Sequence, residues 1–440
     1  MPLDGVGQHR RNAGAYRLNK THPRQRVGDQ ETFEIEALLP SGEGIAGRVR
    51  LAGAFPGERV LARIDHIGKH ATFATPVALE RARPGRRVPS CLRHAEVVGG
   101  RCTGCALMAL EEPDQHVVLR DMLRAQHGLE VDEIVAASKS LGYRWSAKRI
   151  AFGGPGNLRL GSFIRGTHRP ADMQGCLVDH PLITEAADEI AEVGRELGIA
   201  AHNDERKQLG LRAVWLRTNG TQVLATLVTS DVDDQEVMRL SKQLTKCAGV
   251  SRSFHRGDGN ALRGSRPAPL RGIDALEVNG TRVGPLGFLQ PNPEVADQMY
   301  DDLVTGLEGK SVFDLYAGSG ATTRRLRALA TEVVPCESDP EGARSLGVTP
   351  EAVEDFLARQ TKAPDAVLAN PPRKGLGTVA TAELLRLAPT RIHIMACGPA
   401  GLAKDMEAFA QSYELESLRA YDTLPQTPHV ELIAKLARRA

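Results

Sequence analysis

"KSVFDLYAGSGATTRRLRALATEVVPCESD", residues 310–339, decides the fold. An apolar run closes at Asp314, Gly318 and Gly320 sit in the turn that follows, a helix-forming stretch comes next, and a second apolar run ends at Glu337. Strand, tight turn, helix and strand in that order open a doubly wound α/β sheet. An acid at the second strand tip, about twenty residues beyond the glycine turn, is placed to hold both hydroxyls of a ribose. The turn lacks a third glycine to cradle phosphate, which favours S-adenosylmethionine over a dinucleotide. A glycine turn of purely structural use is the plain alternative.

Downstream the pattern repeats. "PDAVLANPPRKGL" is an apolar strand ending in Asn370, and its two prolines set a rigid extended lip where ligands of open α/β sheets bind. "RIHIMAC" is a further short strand whose tip places Cys397 on the same edge as Glu337 and Asn370. The closing segment "DTLPQTPHVELIAKLARRA" carries His429 and Glu431 at the start of an apolar run.

Upstream, the 440-residue chain is longer than one hydrophobic core usually supports, so about two to four domains are expected. Hydrophobic residues at 41% and charged residues at 25% describe an ordinary soluble globular protein. No apolar run is long enough for a bilayer and the first residues lack a signal peptide's hydrophobic core, which places the chain in the cytoplasm with no membrane partner. A net charge of +2 neither requires nor excludes nucleic acid.

The polar, arginine-rich start reads as a basic disordered arm over residues 1–28, solvated or touching RNA. Short alternating runs punctuated by glycine, with strands at 58–64 and 71–79, predict a small OB-like β-barrel over 29–85. Residues 86–280 read as a central α+β domain: a helical period around Val117, Val118, Met122 and Leu123, a helix around 183–197, and hairpins at Asn219-Gly220 and Asn279-Gly280. Residues 281–440 form the α/β domain of the opening motif. The fold class is thus multidomain, a β-barrel, an α+β domain and a Rossmann-like domain.

Cys91, Cys102, Cys105 and Cys176 form a second constellation in that central domain. A C-x-x-C pair with two further cysteines suits a structural zinc site or an iron–sulfur cluster equally. Cys247 and Cys336 read as core residues. His168 reads as near RNA or simply hydrogen-bonded, and "GYRWSAKRIAF" offers Arg144, Lys148, Arg149 and Trp145 as a phosphate and stacking surface or a solvated face.

Taken in order, "GFLQPN" (287–292), "FDLYAGSG", Glu337, "NPPRKGL", "ACGPAGLAKD" and "LPQTPHVEL" resemble the motifs of the RNA uridine-5-methyltransferase family, from about residue 30 to the C-terminus. The resemblance implies a TRAM barrel at the N-terminus, S-adenosylmethionine contacted by Gln290, Tyr316, Glu337 and Asn370, Cys397 as nucleophile and Glu431 as general base. It also implies a 4Fe-4S cluster on Cys91, Cys102, Cys105 and Cys176, with zinc as the fallback. The substrate it implies is a uridine in RNA, ribosomal (23S) RNA ahead of tRNA, handled by a monomer. Position 370 is asparagine where the family has aspartate, and Gly398 stands where it has asparagine. Two other readings stay open: an amino-methyltransferase using "NPPR", and an RNA-binding or assembly protein with a degenerate methyltransferase domain.

Overall fold

The computed structural model describes residues 25–257 and 262–440, so residues 1–24 of the expected arm lie outside the described residues. The chain divides into two compact units, one ending at Arg83 apart from Leu38–Gly42, the other holding the rest.

In the first unit the strands run in the order Gln30–Glu34, Arg59–Ile67, Thr72–Arg81, Val49–Ala52, Glu43–Ala46. The first strand runs on through Ile35, whose amide bonds to Glu58, and Glu36, whose amide bonds to Ile45 on the last strand. One chain segment therefore pairs with both edges, and the sheet closes on itself. Phe33, Val49, Leu51, Val60 and Ala62 alternate inward to fill it.

The second unit contains two seven-stranded sheets. In the first, Leu211–Thr218 and Val223–Thr229 are buried along their whole lengths, as apolar side chains on both faces require. The helix Pro181–Glu196 covers one face through Ile183, Ala187 and Ile190. Both Asn-Gly signals form turns: Asn219 accepts hydrogen bonds from the amides of Thr221 and Gln222. At the second, Asn279 (φ 46°) and Gly280 (φ 70°) join Leu276–Val278 to Thr281–Val283 in the left-handed conformation a two-residue hairpin loop needs.

The other sheet runs Glu332–Cys336, Ser311–Leu315, Ala366–Ala369, Arg391–Ala396, Glu431–Arg438, Tyr413–Tyr421, Glu133–Val135. Its first four strands are parallel, and the next pairs antiparallel with Arg391–Ala396. Chain order reverses between Ser311–Leu315 and Ala366–Ala369, so a cleft opens beyond their carboxyl ends. The last strand comes from far upstream of residue 281; three residues at a sheet edge are too few to show a period in the sequence. The helix Glu112–His127, ended by left-handed Gly128, is tied to this sheet's end by Gln115, whose side chain bonds Gln426, and by His116 against Asp422. No helix among the described residues is long and apolar enough to cross a membrane.

Candidate active site

At the tip of Ser311–Leu315 the chain turns sharply. Tyr316 takes a left-handed φ of 56°, a costly conformation for a residue with a side chain. Buried Asp314 accepts the hydroxyls of Thr322 (2.9 Å) and Thr323 (2.5 Å), locking the strand to the helix Ala321–Arg327. Burial pushes its carboxyl up to about 6, against the pull of those two hydrogen bonds. Glu337 ends the neighbouring strand with one oxygen accepting the Gly318 amide at 2.7 Å and the other the Asp339 amide at 2.6 Å. A Cβ at Gly342 would lie 2.7 Å from the Gly318 carbonyl and 3.0 Å from the Glu337 side chain, so the glycine keeps this cradle open. Asn370 lies at the adjoining tip, its amide bonded to the Leu315 carbonyl. The structure thus gathers Tyr316, Glu337 and Asn370 on one edge. Gln290 stands on a separate loop and donates to the Tyr300 hydroxyl at 3.3 Å. Tyr300 in turn feels the charge of Glu431.

Register brings Cys397 to Glu431. Ala396 faces Leu432 across an antiparallel pair, so the next residue on one strand meets the preceding residue on the other. The strand Arg391–Ala396 is buried but for its first residue, whereas Cys397 is exposed. Partial burial and then the charge of Glu431 raise the thiol's pKa, while Arg373 opposes both by its charge and by a hydrogen bond to the sulfur. Burial lifts the Glu431 carboxyl to about 7, again with Arg373 pulling downward.

Arg373 is the residue that the sequence does not single out, standing out there only as the absence of an aromatic after the two prolines. Its position depends on glycines. A Cβ at Gly398 would sit 2.2 Å from the Arg373 carbonyl oxygen, and one at Gly401 2.8 Å from the same atom. Asp405 fastens the far side of the loop by accepting the Leu376 amide at 2.9 Å. In this chain a side chain at position 398 would therefore have to displace the arginine's backbone.

Cys91, Cys105 and Cys176 line a small cluster with Met108, Tyr143 and Val178. Burial drives the Cys105 thiol well above its ordinary value, with further increments from Cys176, Cys102 and Cys91 and relief from Arg144. Four thiols, all outside any disulfide, thus share one neighbourhood. Among the described residues no three or more His, Cys, Asp or Glu side chains are grouped to hold a metal ion, so neither an iron–sulfur cluster nor the zinc fallback has an arranged ligand set.

The "GYRWSAKRIAF" strand divides between the two readings: Lys148 is exposed, whereas Arg149 is buried and Arg144 and Trp145 are partly so. Arg149 is 3% exposed and ion-paired with buried Asp179. Lys148 rests on the Trp215 ring, and Trp145 lies half-buried against His180. His168 meets the edge of Phe163. Cys247 and Cys336 are buried, as their sequence context predicts.

No family model matches the chain. Its fold is similar to that of the Pyrococcus abyssi tRNA (uracil-54, C5)-methyltransferase, solved with S-adenosyl-L-homocysteine. The TM-score is 0.74 at 22% identity, over 92% of this chain and 100% of that one. That similarity places the fold in the doubly wound α/β class. An uncharacterized RNA methyltransferase of Geobacter sulfurreducens is 30% identical over 462 residues, covering 95% of this chain and 92% of the relative. One from Gloeobacter violaceus is 28% identical over 454 residues, covering 93% and 97%. The chain belongs to the RNA methyltransferase family.

Proposed function

We propose that the protein methylates carbon 5 of a uridine in RNA, with S-adenosylmethionine as donor and ribosomal RNA favoured over tRNA as substrate. The observation that carries this reading is the convergence of Cys397, Arg373 and Glu431 at one strand edge. Carbon 5 of uracil is a poor nucleophile. Addition of the Cys397 thiolate to carbon 6 pushes an electron pair toward the carbon 4 carbonyl and makes carbon 5 enolate-like. Bound S-adenosylmethionine supplies the electrophilic methyl group. Glu431 then removes the hydrogen left on carbon 5, and the returning electron pair expels the sulfur from carbon 6. A carboxyl near 7 suits this task, since it is substantially ionised at neutral pH yet basic enough to take a carbon-bound proton.

Tyr316, Glu337 and Asn370 suit the donor: the glycine cradle beside Glu337 leaves room for a ribose, and each fixed carboxylate oxygen keeps a free lone pair. Gln290 would approach it from the opposite loop. An Arg373 bonded to the thiol is not available to stack on a base, which counts against the amino-methyltransferase alternative.

The first test is RNA carrying 5-fluorouridine, whose carbon 5 offers no abstractable proton after methylation. Wild-type protein is expected to form an adduct stable on a denaturing gel, and Cys397→Ala none. An adduct with Cys397→Ala would remove Cys397 as nucleophile. Mapping 5-methyluridine in ribosomal and transfer RNA from cells with and without the gene assigns the substrate.

Cys91, Cys102, Cys105 and Cys176 would hold the 4Fe-4S cluster, which when bound supplies a staple between distant loops; methyl transfer needs no electron. What supports the assignment is proximity: Cys176, Cys102 and Cys91 all act on the Cys105 thiol, and Arg144 stands beside it, so one neighbourhood holds all four, although the side chains are not drawn together as a ligand set. Protein purified without oxygen is expected to show the broad visible absorption of such a cluster, and Cys176→Ser to lose most of it along with thermal stability. A colourless wild-type protein containing no iron would refute the assignment.

A further inference from the structure

The face of the central sheet turned toward residues 283–290 carries positive charge that no carboxylate among the described residues pairs with. Lys148 and Trp215 are direct partners across the antiparallel pair, and Arg217 follows Trp215 on the same face. Lys148 Nζ lies 4.0 Å from the centroid of the Trp215 ring, and the Arg217 guanidinium carbon 5.1 Å. The Trp215 indole donates to the Leu262 carbonyl at 2.5 Å, which brings the next residue, Arg263, to the same place. Two cations on one ring, with a third close by, repel one another. None of the three takes part in an ion pair among the described residues, although other arginines packed into this sheet do.

Arg217 makes the imbalance costly. It is 2% exposed, donates one hydrogen bond to the Pro285 carbonyl, and its Nε has no partner. A buried guanidinium without a carboxylate costs stability, and replacing such a charge by an apolar side chain of similar shape is commonly neutral or stabilising. Pro285 does not require it, because the Thr226 hydroxyl donates to the same carbonyl at 3.0 Å. Burial, and then repulsion from Arg263, depress Arg217 to about 10, and Lys148 is lowered by burial and by both arginines. An arrangement that costs stability and has no anionic partner among the described residues calls for an external anion.

Its position says which anion. Pro285 lies on the loop that continues to Gln290, and the amide of Trp145, at the start of the same strand as Lys148, bonds the Pro291 carbonyl at 2.7 Å. The charged face therefore borders the loop that completes the candidate active site. We propose that Lys148 and Arg263, backed by the buried charge of Arg217, form a phosphate-binding site for the backbone of the RNA substrate beside the target nucleotide. The inference rests on RNA being the substrate. Lys148 and Arg263 are both exposed and would touch the phosphate; Arg217 is a positioning residue that supplies field from beneath.

The test is fluorescence anisotropy of full-length protein with a fluorescein-labelled single-stranded RNA of mixed sequence across a salt series. Each phosphate that the protein no longer neutralises lowers the slope of log Kd against log salt by about 0.7. Lys148→Ala with Arg263→Ala removes the contact to that phosphate and is expected to lower the slope by about 0.7 and to weaken binding ~10-fold or more at low salt. Arg217→Met is expected to weaken binding several-fold while its Tm stays at or above wild type. A wild-type slope in the double variant, or an Arg217→Met protein that melts lower with unchanged affinity, would overturn the proposal. The 5-fluorouridine adduct of the wild type, scored separately, reports on the uridine chemistry. If it forms while the slopes do not change, only the phosphate site fails; if it is absent while they do, only the uridine reading fails.

Discussion

Glu431→Gln is expected to trap the reaction half-way: given RNA and methyl donor, the variant accumulates a covalent protein–RNA complex while turnover falls by ~10³-fold. Glutamine keeps the size and one oxygen of the side chain but cannot accept the carbon 5 proton, so the electron pair that would expel the sulfur is never released. Addition itself is not impeded. The Glu431 charge raises the Cys397 thiol, and the substitution removes that charge. The two effects together, an easier entry and a blocked exit, distinguish a base from a residue that merely supports the fold, whose loss would diminish entry and exit alike. The pH profile provides a second readout. The carboxyl must be ionised to act, and its pKa stands at about 7, so wild-type turnover should climb as pH rises through 7. That limb should vanish in Glu431→Gln. Turnover within tenfold of wild type, or failure to form any complex, would show that Glu431 is not the base.

The strands that carry Asn370 and Cys397 are legible in the sequence because parallel strands buried on both faces are written as unbroken apolar runs, and the edge strand before Glu337, though only its last two residues are buried, keeps the same apolar run. Alignment of their tips follows from the fold alone. The pairing of Cys397 with Glu431 is less visible, since it depends on the register of Ala396 against Leu432, which no local pattern announces. The edge strand Glu133–Val135 is hidden for the same reason: its partner, Arg419 to Tyr421, lies at the other end of the domain. The basic strand misleads in a more instructive way. Arg149 and Lys148 look alike as surface charge in a window of eleven residues, yet Arg149 is buried against Asp179 while Lys148 stays exposed over the Trp215 ring. Charge in a sequence does not reveal whether its partner is water, a carboxylate or a ring.

Arg373→Met is the second large effect, and its sign is set by the two groups the arginine touches. Its charge and hydrogen bond lower the thiol of Cys397, and its charge lowers the carboxyl of Glu431. Methionine keeps an unbranched apolar stem in the loop but supplies neither, so both pKa values should rise. Near neutral pH a rise in the thiol costs about tenfold in thiolate for each unit, and a Glu431 already at about 7 becomes mostly protonated, the wrong form for a base. Turnover at pH 7 should fall by roughly 10- to 100-fold. The loss should shrink as pH is raised, because alkali restores both ionised forms, so the rising limb of the pH profile moves upward by about one unit. Arg373→Lys should recover part of the rate, since an ammonium supplies the charge but not the planar guanidinium geometry. Thermal melting of both variants separates this from misfolding. A deficit of the same size at every pH, with the rising limb unmoved, would mean that Arg373 holds the loop against Gly398 and has no electrostatic part in activating Cys397.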